Sequence, residues 1–173
     1  MIDDVAAWEG APVRGEGAAA QRPDSPHHGL DQSCMGHLLG YHITQANVSC
    51  RKVFVRHIGE TFKLSPVEFT ILMLVACNRD ATQKQLSQAL AVSAPNVTTL
   101  LDRLTDRELL TRVRNETDRR SQHVRLTRRG STLVREVREI SMTMERDLLR
   151  NLSEAERGIL IELLQKVARG RRA

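Results

Sequence analysis

The chain has 173 residues with five aromatic side chains, so Leu, Val, Ile and Met must build its core. Such a core suits packed helices better than an all-β sandwich, which draws on aromatic and β-branched residues. No apolar stretch approaches the roughly 20 residues of a transmembrane helix, so we expect a cytoplasmic protein without a membrane partner. The net charge is +5, but residues 1–32 hold two arginines against six acids, which leaves +9 on the remainder. A basic body favours a polyanionic partner such as nucleic acid.

The usual motifs of catalysis and metal binding are absent from the sequence. The three cysteines form no CxxC or CxxH pair, and none of the six histidines belongs to an HExxH motif. The phosphate-binding and nucleophile motifs GxxxxGKS/T, GxGxxG and GxSxG are also missing. We therefore predict a protein that is not an enzyme and that has neither a metal site nor a cofactor.

The chain begins with a segment that differs from the rest. Residues 1–32 are rich in Gly and Pro and have little periodicity, which predicts a disordered or loosely docked tail. From Ser33 onward, apolar residues recur at spacings of three and four. This pattern predicts a long first helix that ends at Gly59.

Three capped helices follow. Ser65 is followed directly by a proline, and a glutamate lies three residues after Ser65. This pattern predicts a helix that runs to about Asn78. Thr82 is the expected cap of a short helix, and Ser93 of another over residues 94–107. With only a brief turn between the last two helices, the sequence predicts a helix-turn-helix.

After the helix-turn-helix, apolar and polar residues alternate with a period of two residues. Alternating residues at 110–114 and 123–126 predict two short strands on either side of a polar hairpin tip. Thr127 begins a long helix, and a capping box formed by Ser153 and Glu156 begins the last one.

These elements predict a mainly α fold, a winged helix-turn-helix with long N- and C-terminal dimerisation helices. Residues 33–173 form one domain, in which 61–127 are the winged helix-turn-helix and 33–60 and 128–173 are the dimerisation helices. The apolar stripes of the first and last helices exceed what the small middle unit can cover, so we expect a homodimer. The alternative is that these helices bury one another within one chain.

The helix over 94–107 turns small polar residues away from its apolar side. In a DNA major groove Asn pairs with adenine, and the Thr methyl group contacts thymine. A solvated helix face is the alternative. The residues predicted to contact DNA here are Ser93, Pro95, Asn96, Thr98, Thr99 and Arg103.

The hairpin is strongly basic. Residues 112–129 contain seven arginines against two acids. Arginine binds phosphate with two parallel hydrogen bonds and enters narrow minor grooves, so we expect the hairpin to contact double-stranded DNA. The alternative is a helical interaction module that binds an acidic protein. The predicted DNA-contacting residues are Arg112, Arg114, Asp118, Arg119 and Arg120.

Five segments form one longer pattern: Leu86–Leu90, Ser93–Leu104, Leu109–Arg112, Asp118–Arg120 and Val124–Gly130. Together they make the chain resemble the MarR family of bacterial transcriptional regulators over roughly residues 35–168. The resemblance implies a two-fold homodimer that binds pseudo-palindromic operators. It also implies that the helix over 94–107 contacts the major groove, while Arg119 or Arg120 enters the minor groove and Asp118 orients its neighbours. Because this chain has Glu108 where the family usually has Gly, we expect a strained residue at that turn.

The resemblance further implies a repressor that a small aromatic or heteroaromatic acid releases from DNA. Polar residues on the apolar stripe of the first helix, with two arginines nearby, are the candidates for binding the acid, although such histidines are more often core or interface residues. The predicted ligand residues are His42, Ser49, His57, Arg51 and Arg56.

A thiol-based redox repressor is the alternative function. Some relatives sense peroxide through a cysteine near the start of the first helix, and Cys34 occupies a similar place. A helix N-terminus would stabilise its thiolate. The tyrosines that such relatives supply from the next helix are missing here. Cys50 and Cys77 are predicted to be core residues.

Overall fold

A computed structural model describes residues 30–114 and 122–169, and for Arg114 it describes the backbone alone. Residues 1–29 of the predicted tail and residues 115–121 of the hairpin tip lie outside the described residues. The chain divides into two compact units, Met1–His37 and Leu38–Ala173. In the first unit, the described residues form one short 3-10 turn at Ser33–Met35.

The second unit is mainly α with a small sheet, as the sequence predicted. No helix in the described residues is long and apolar enough to cross a membrane. The helices are α1 (Leu39–Phe54), α2 (Glu60–Phe62), α3 (Pro66–Cys77), α4 (Gln83–Leu90), α5 (Ala94–Asp106), α6 (Arg128–Leu148) and α7 (Glu154–Arg169). The strands are β1 (Ala81–Thr82), β2 (Leu110–Arg114) and β3 (Gln122–Leu126).

The first helix differs from the prediction at both ends. It begins at Leu39 rather than Ser33, because the residue before Leu39 is extended, with φ −95° and ψ 105°. Gly59 does not end it: at φ −58° and ψ −48° this residue is helical and closes a π-helical segment, Val55–Gly59, that leads into α2. The helical run ends at Lys63, whose φ of 51° is left-handed. A glycine permits a left-handed helix end but does not impose one.

The predicted helix caps are confirmed at four positions. The side chains of Ser65, Thr82, Thr127 and Ser153 each accept a hydrogen bond from the backbone N–H three residues later. Each bond satisfies an amide that the helix itself leaves unpaired. Ser93 occupies the cap position of α5, but its side chain makes no capping hydrogen bond.

The sheet has the strand order β1, β3, β2, and both pairings are antiparallel. On β2 and β3, Leu110 lies opposite Leu126 and Arg112 lies opposite Val124. Strand β1 pairs Ala81 with Val124. The sequence predicted β2 and β3 but not β1, because two residues show no periodicity.

The core of the second unit lies between the helix-turn-helix, the hairpin and α6. Leu72 of α3, Leu101 and Leu104 of α5 and Val137 of α6 are all at most 1% exposed. The flanking helices contribute far less: α1 buries Phe54, and α7 has no buried residue within the described part of the chain. The core is therefore built by the middle of the sequence together with α6.

The turn between α5 and β2 packs against the start of α6. Glu108 adopts a φ of 57°, so the strained residue expected at this turn is confirmed. Thr127 donates its backbone N–H to the Leu109 carbonyl at 3.1 Å and its hydroxyl to the Glu108 carbonyl at 2.5 Å. A Cβ at Gly130 would lie 2.0 Å from the Leu109 carbonyl oxygen, so this close approach requires glycine. The base of the hairpin is thus anchored to α6.

Candidate nucleic-acid interface

Helix α5 has a buried side and an exposed side, as its sequence predicted. Val97, Leu101 and Leu104 pack into the core. The opposite side carries the predicted DNA-contacting residues of this helix and its cap. Of these, Thr98 is half-buried, and the exposed ones are Ser93, Pro95, Asn96, Thr99 and Arg103.

Hydrogen bonds distinguish two polar residues of this surface. Gln83 of α4 donates from Nε2 to the Thr98 hydroxyl at 2.7 Å, and that hydroxyl donates to the Ala94 carbonyl at 2.9 Å. Asn96 forms no side-chain hydrogen bond within residues 30–114 and 122–169. Thr98 therefore helps to hold α4 against α5, whereas the Asn96 amide is exposed and has no hydrogen-bond partner among the described residues.

Two arginines of the hairpin form ion pairs with the helix-turn-helix. The guanidinium of Arg112 lies 2.6 Å from the carboxylate of Asp102, and that of Arg125 lies 2.6 Å from the carboxylate of Asp80. The side chains of Arg112 and Arg125 are 34% and 47% exposed, so solvent reaches both of them. Arg114 is the last residue of β2. The other predicted wing residues, Asp118, Arg119 and Arg120, lie outside the described residues.

Asp80 lies in the turn before β1 and contacts β3 twice. Its carboxylate accepts a hydrogen bond from Arg125, and its carbonyl is 2.9 Å from Nδ1 of His123. Since a carbonyl oxygen can only accept, Nδ1 of His123 carries the proton. The hydrogen bond from Arg125 lowers the pKa of Asp80 below the usual aspartate value, against a smaller effect of desolvation. Sequence reasoning missed Asp80, because no local pattern links it to Arg125, 45 residues away.

Arg107 is a second residue that sequence reasoning missed. Its guanidinium donates to the carbonyl of Lys63 at 2.8 Å and to the carbonyl of Phe62 at 2.7 Å. These bonds tie the C-terminal end of α5 to the end of α2. Because both acceptors are backbone atoms, no side-chain pattern in the sequence could have identified them.

The predicted ligand residues do not converge on one point. His42 is exposed and stacks edge-on against Tyr41, with ring centroids 5.6 Å apart, and Ser49 is also exposed. His57 is half-buried, with Nε2 2.7 Å from the carboxylate of Asp147 on α6. Along a helix, the 15 residues between the two histidines span about 22 Å. One small ring therefore cannot contact both within one chain.

The two predicted arginines do share a surface depression. Arg51 and Arg56 line it together with Lys52, Val55 and Glu60. Val55 is 44% exposed there, so three cationic side chains and one acidic side chain surround an apolar one. An arrangement of this kind suits an organic anion.

The cysteines are all exposed, which corrects two predictions. Cys50 and Cys77 are not core residues: Cys50 lies on a part of α1 that the described chain leaves uncovered, and Cys77 ends α3. Cys34 lies in the 3-10 turn Ser33–Met35 and not in the first turn of α1, which begins at Leu39. The described residues contain no cluster of metal-ligating side chains.

Comparison with known proteins gives consistent matches. The profile of the MarR family matches residues 64–122, the span from the start of α3 to the start of β3. A transcriptional regulatory protein for the hcr operon of Thauera aromatica is 28% identical over 131 residues, which are 76% of this chain and 79% of that protein.

Solved structures share the fold. The transcriptional repressor CouR, bound to a 23-mer DNA duplex, is 28% identical, with a TM-score of 0.75 over 80% of this chain and 98% of its own. BpsR of Bordetella bronchiseptica, whose DNA binding is regulated by 6-hydroxynicotinic acid, is 24% identical, with a TM-score of 0.71 over 83% of this chain and 98% of its own. Over residues 64–122 the chain is similar to the MarR family, whose members are transcriptional regulators and not enzymes.

Proposed function

We propose that the chain is a homodimeric repressor that binds a pseudo-palindromic operator and is released from it by a small aromatic or heteroaromatic acid. The observation that carries this proposal is the placement of α5. Its exposed polar side lies beside an arginine-bearing hairpin, while the flanking helices leave apolar side chains uncovered. A second copy that covered those side chains would present two such DNA-binding units together.

The uncovered apolar side chains support the dimer. On α1, Leu39 is 50% exposed and Ile43 is 43% exposed. Contiguous exposed apolar surface of this kind usually marks a contact site. In this proposal, residues 33–60 and 128–173 supply the dimerisation helices of a single domain over 33–173. The exposed apolar residues of α7 are Ile159, Leu160, Ile161, Leu163, Leu164 and Val167.

In the proposed complex, α5 enters the major groove and the wing contacts the minor groove. Asn96 pairs with a base, and Arg119 or Arg120 enters the minor groove. With two-fold symmetry, half-sites should be about 10 base pairs apart from centre to centre. Selection from a pool of random duplexes should recover an inverted repeat with that spacing. Recovery of unrelated or single half-sites would contradict the dimeric arrangement.

Mutations separate base contacts from phosphate contacts. Asn96→Ala should weaken binding by about 1–3 kcal/mol on the selected operator and little on random DNA. Arg119→Ala with Arg120→Ala should weaken binding to every sequence and make log K less dependent on log salt, by about 0.9 per lost phosphate contact. The matched control is Arg146→Ala on α6 with Arg150→Ala in the turn after it, which removes the same charge far along the chain from the wing. A helical interaction module would show no salt-dependent DNA binding at all.

We place the carboxylate of the effector at Arg51 and Arg56. Guanidinium groups bind carboxylates with paired hydrogen bonds, and Val55 offers an apolar contact to an aromatic ring. His57 is less suitable, because the carboxylate of Asp147 already lies against its Nε2 and would repel a second carboxylate. That BpsR, a protein of the same fold, responds to 6-hydroxynicotinic acid supports an effector of this class.

The effector is tested with 6-hydroxynicotinic acid and benzoic acid as probes on the selected operator. Arg51→Ala with Arg56→Ala should remove the release while leaving operator affinity without acid unchanged. Arg135→Ala with Arg138→Ala, two exposed arginines of α6, is the matched control. Loss of release in His42→Ala or His57→Ala alone would favour the histidines instead. If peroxide released the protein from the operator and Cys34→Ser abolished that release, the protein would be a redox-sensing repressor and not one that responds to an acid.

A further inference from the structure

We propose that Asp80 and Asp102 are positioning residues that hold the DNA-binding wing from its two faces. The inference rests on the proposed contact between the wing and DNA, and it concerns residues behind that contact. Asp102 lies on α5 and Asp80 lies in the turn before β1, and each pairs with one arginine of the hairpin. Together they set the angle at which the hairpin leaves the domain.

The strand register places the two arginines on opposite faces of the hairpin. Arg112 of β2 lies directly opposite Val124, and Arg125 of β3 lies directly opposite Thr111. Directly opposite residues share a face, and successive residues along a strand alternate between faces. Arg112 therefore lies on the face of buried Val124, and Arg125 lies on the other face.

The two aspartates approach from different elements. Asp102 is on the exposed side of α5 and contacts Arg112 at 2.6 Å. Asp80 precedes β1, contacts Arg125 at 2.6 Å and also accepts the Nδ1 proton of His123 at its carbonyl. A rotation of the hairpin toward either face would stretch one of these pairs. The arrangement resists bending in both directions.

Stability alone does not account for these pairs. All four side chains are about one third to one half exposed, and ion pairs of that exposure contribute about 0.2–1 kcal/mol. A hairpin of five residue pairs is about 17 Å long, so a rotation of about 10° at its base moves its far end, the Arg114–Gln122 pair, by about 3 Å. A hydrogen bond to phosphate does not survive a displacement of that size. A small energy at the base thus controls whether the tip reaches DNA.

The test is a double-mutant cycle on Asp80 and Arg125, with mixed-sequence duplex DNA as the probe. Asp80→Ala should weaken binding roughly fivefold and flatten the dependence of log K on log salt. Arg125→Ala should have the same effect, and the double variant should be no weaker than either single one. Asp80→Glu, which keeps the carboxylate, should retain most of the affinity. Glu162→Ala is the control, since it removes one carboxylate and one ion pair from α7.

Several results would overturn the proposal. Additive losses in the cycle would mean that Arg125 contacts DNA independently of Asp80. Tighter binding by Asp80→Ala would mean that the aspartate only masks a DNA-binding arginine. A lower melting temperature with unchanged affinity and salt dependence would assign Asp80 to stability alone. If Arg119→Ala with Arg120→Ala also leaves the salt dependence of binding unchanged, the wing does not contact DNA, and the proposed function is wrong at that point. If that double variant changes the salt dependence but the Asp80 variants do not, only the positioning role of Asp80 is wrong.

Discussion

The middle of the chain buries its apolar side chains, whereas α1 and α7 leave many of theirs exposed. From α3 to β3, aliphatic side chains such as Ile71, Leu101 and Leu110 are at most 2% exposed. In α7, by contrast, Leu163 is 53% exposed, and no residue of the helix is buried within the described chain. The middle region packs its apolar side chains into a core that it shares with α6, whereas α1 and α7 carry apolar side chains that the described residues leave exposed. The difference separates the residues that build the core from those that a second copy would cover in the proposed dimer.

The largest expected effect follows from truncating the core. Leu104 is fully buried on α5, so Leu104→Ala should lower the free energy of unfolding by about 2–5 kcal/mol. Urea denaturation should give the same loss at every protein concentration. Leu160→Ala on α7 should instead lower the free energy of unfolding by an amount that depends on the protein concentration. A concentration-independent loss for Leu160→Ala would mean that α7 is buried within a single chain.

The second prediction tests directly whether a second copy of the chain packs against α7. Leu163→Glu should weaken self-association by about a hundredfold or more, because an unpaired charge buried in an interface costs several kcal/mol. Sedimentation should then give the 19.5 kDa chain mass rather than twice that value. Ala89→Glu is the matched control: Ala89 is exposed on α4, outside the proposed dimerisation helices, so the mass should not change. Equal masses for both variants would remove α7 from the interface.

The third prediction compares two helical glycines. At Gly130 a Cβ would lie 2.0 Å from the Leu109 carbonyl oxygen, whereas at Gly158 it would meet no atom within 4 Å. Gly130→Ala should destabilise the protein by about 1–3 kcal/mol, since the backbone must move. Gly158→Ala should stabilise α7 by up to about 1 kcal/mol, because alanine favours a helix. Thermal unfolding should show a lower melting temperature for Gly130→Ala and a higher one for Gly158→Ala. An unchanged melting temperature for Gly130→Ala would contradict the close approach of Gly130 to the Leu109 carbonyl.

The smallest effect concerns pH. Hydrogen bonds from the backbone N–H and hydroxyl of Ser153 lower the pKa of Glu156 below its ordinary value of 4.5. A carboxyl with a lowered folded pKa adds stability above its unfolded pKa, and this stability is lost as the pH falls through the folded pKa. The melting temperature should therefore fall less steeply below pH 4.5 in Glu156→Gln than in the wild type. Asp80→Asn should behave likewise, because Arg125 lowers the pKa of Asp80.

Local signals in the sequence predicted most of the elements. Helix caps at Ser65, Thr82, Thr127 and Ser153 depend on bonds between residues three apart, so the sequence contains both partners side by side. The strands of the hairpin follow from alternation over five residues. The buried side of α5 follows from helical spacing. For the same reason, the exposed polar side of α5 could be identified as a candidate DNA-contacting surface from the sequence.

Residue types alone therefore determined most of the helices and strands, where the positive charge lies and which family the chain resembles. The tertiary structure decided what depends on distant neighbours. Gly59 stays helical while Lys63 ends the run, Gly130 must pass the Leu109 carbonyl, and Asp80 pairs with Arg125 from 45 residues away. The physical reason is range: caps and periodicity act within a turn or two of backbone, whereas close approach and ion pairing are set by packing of segments that the sequence keeps apart.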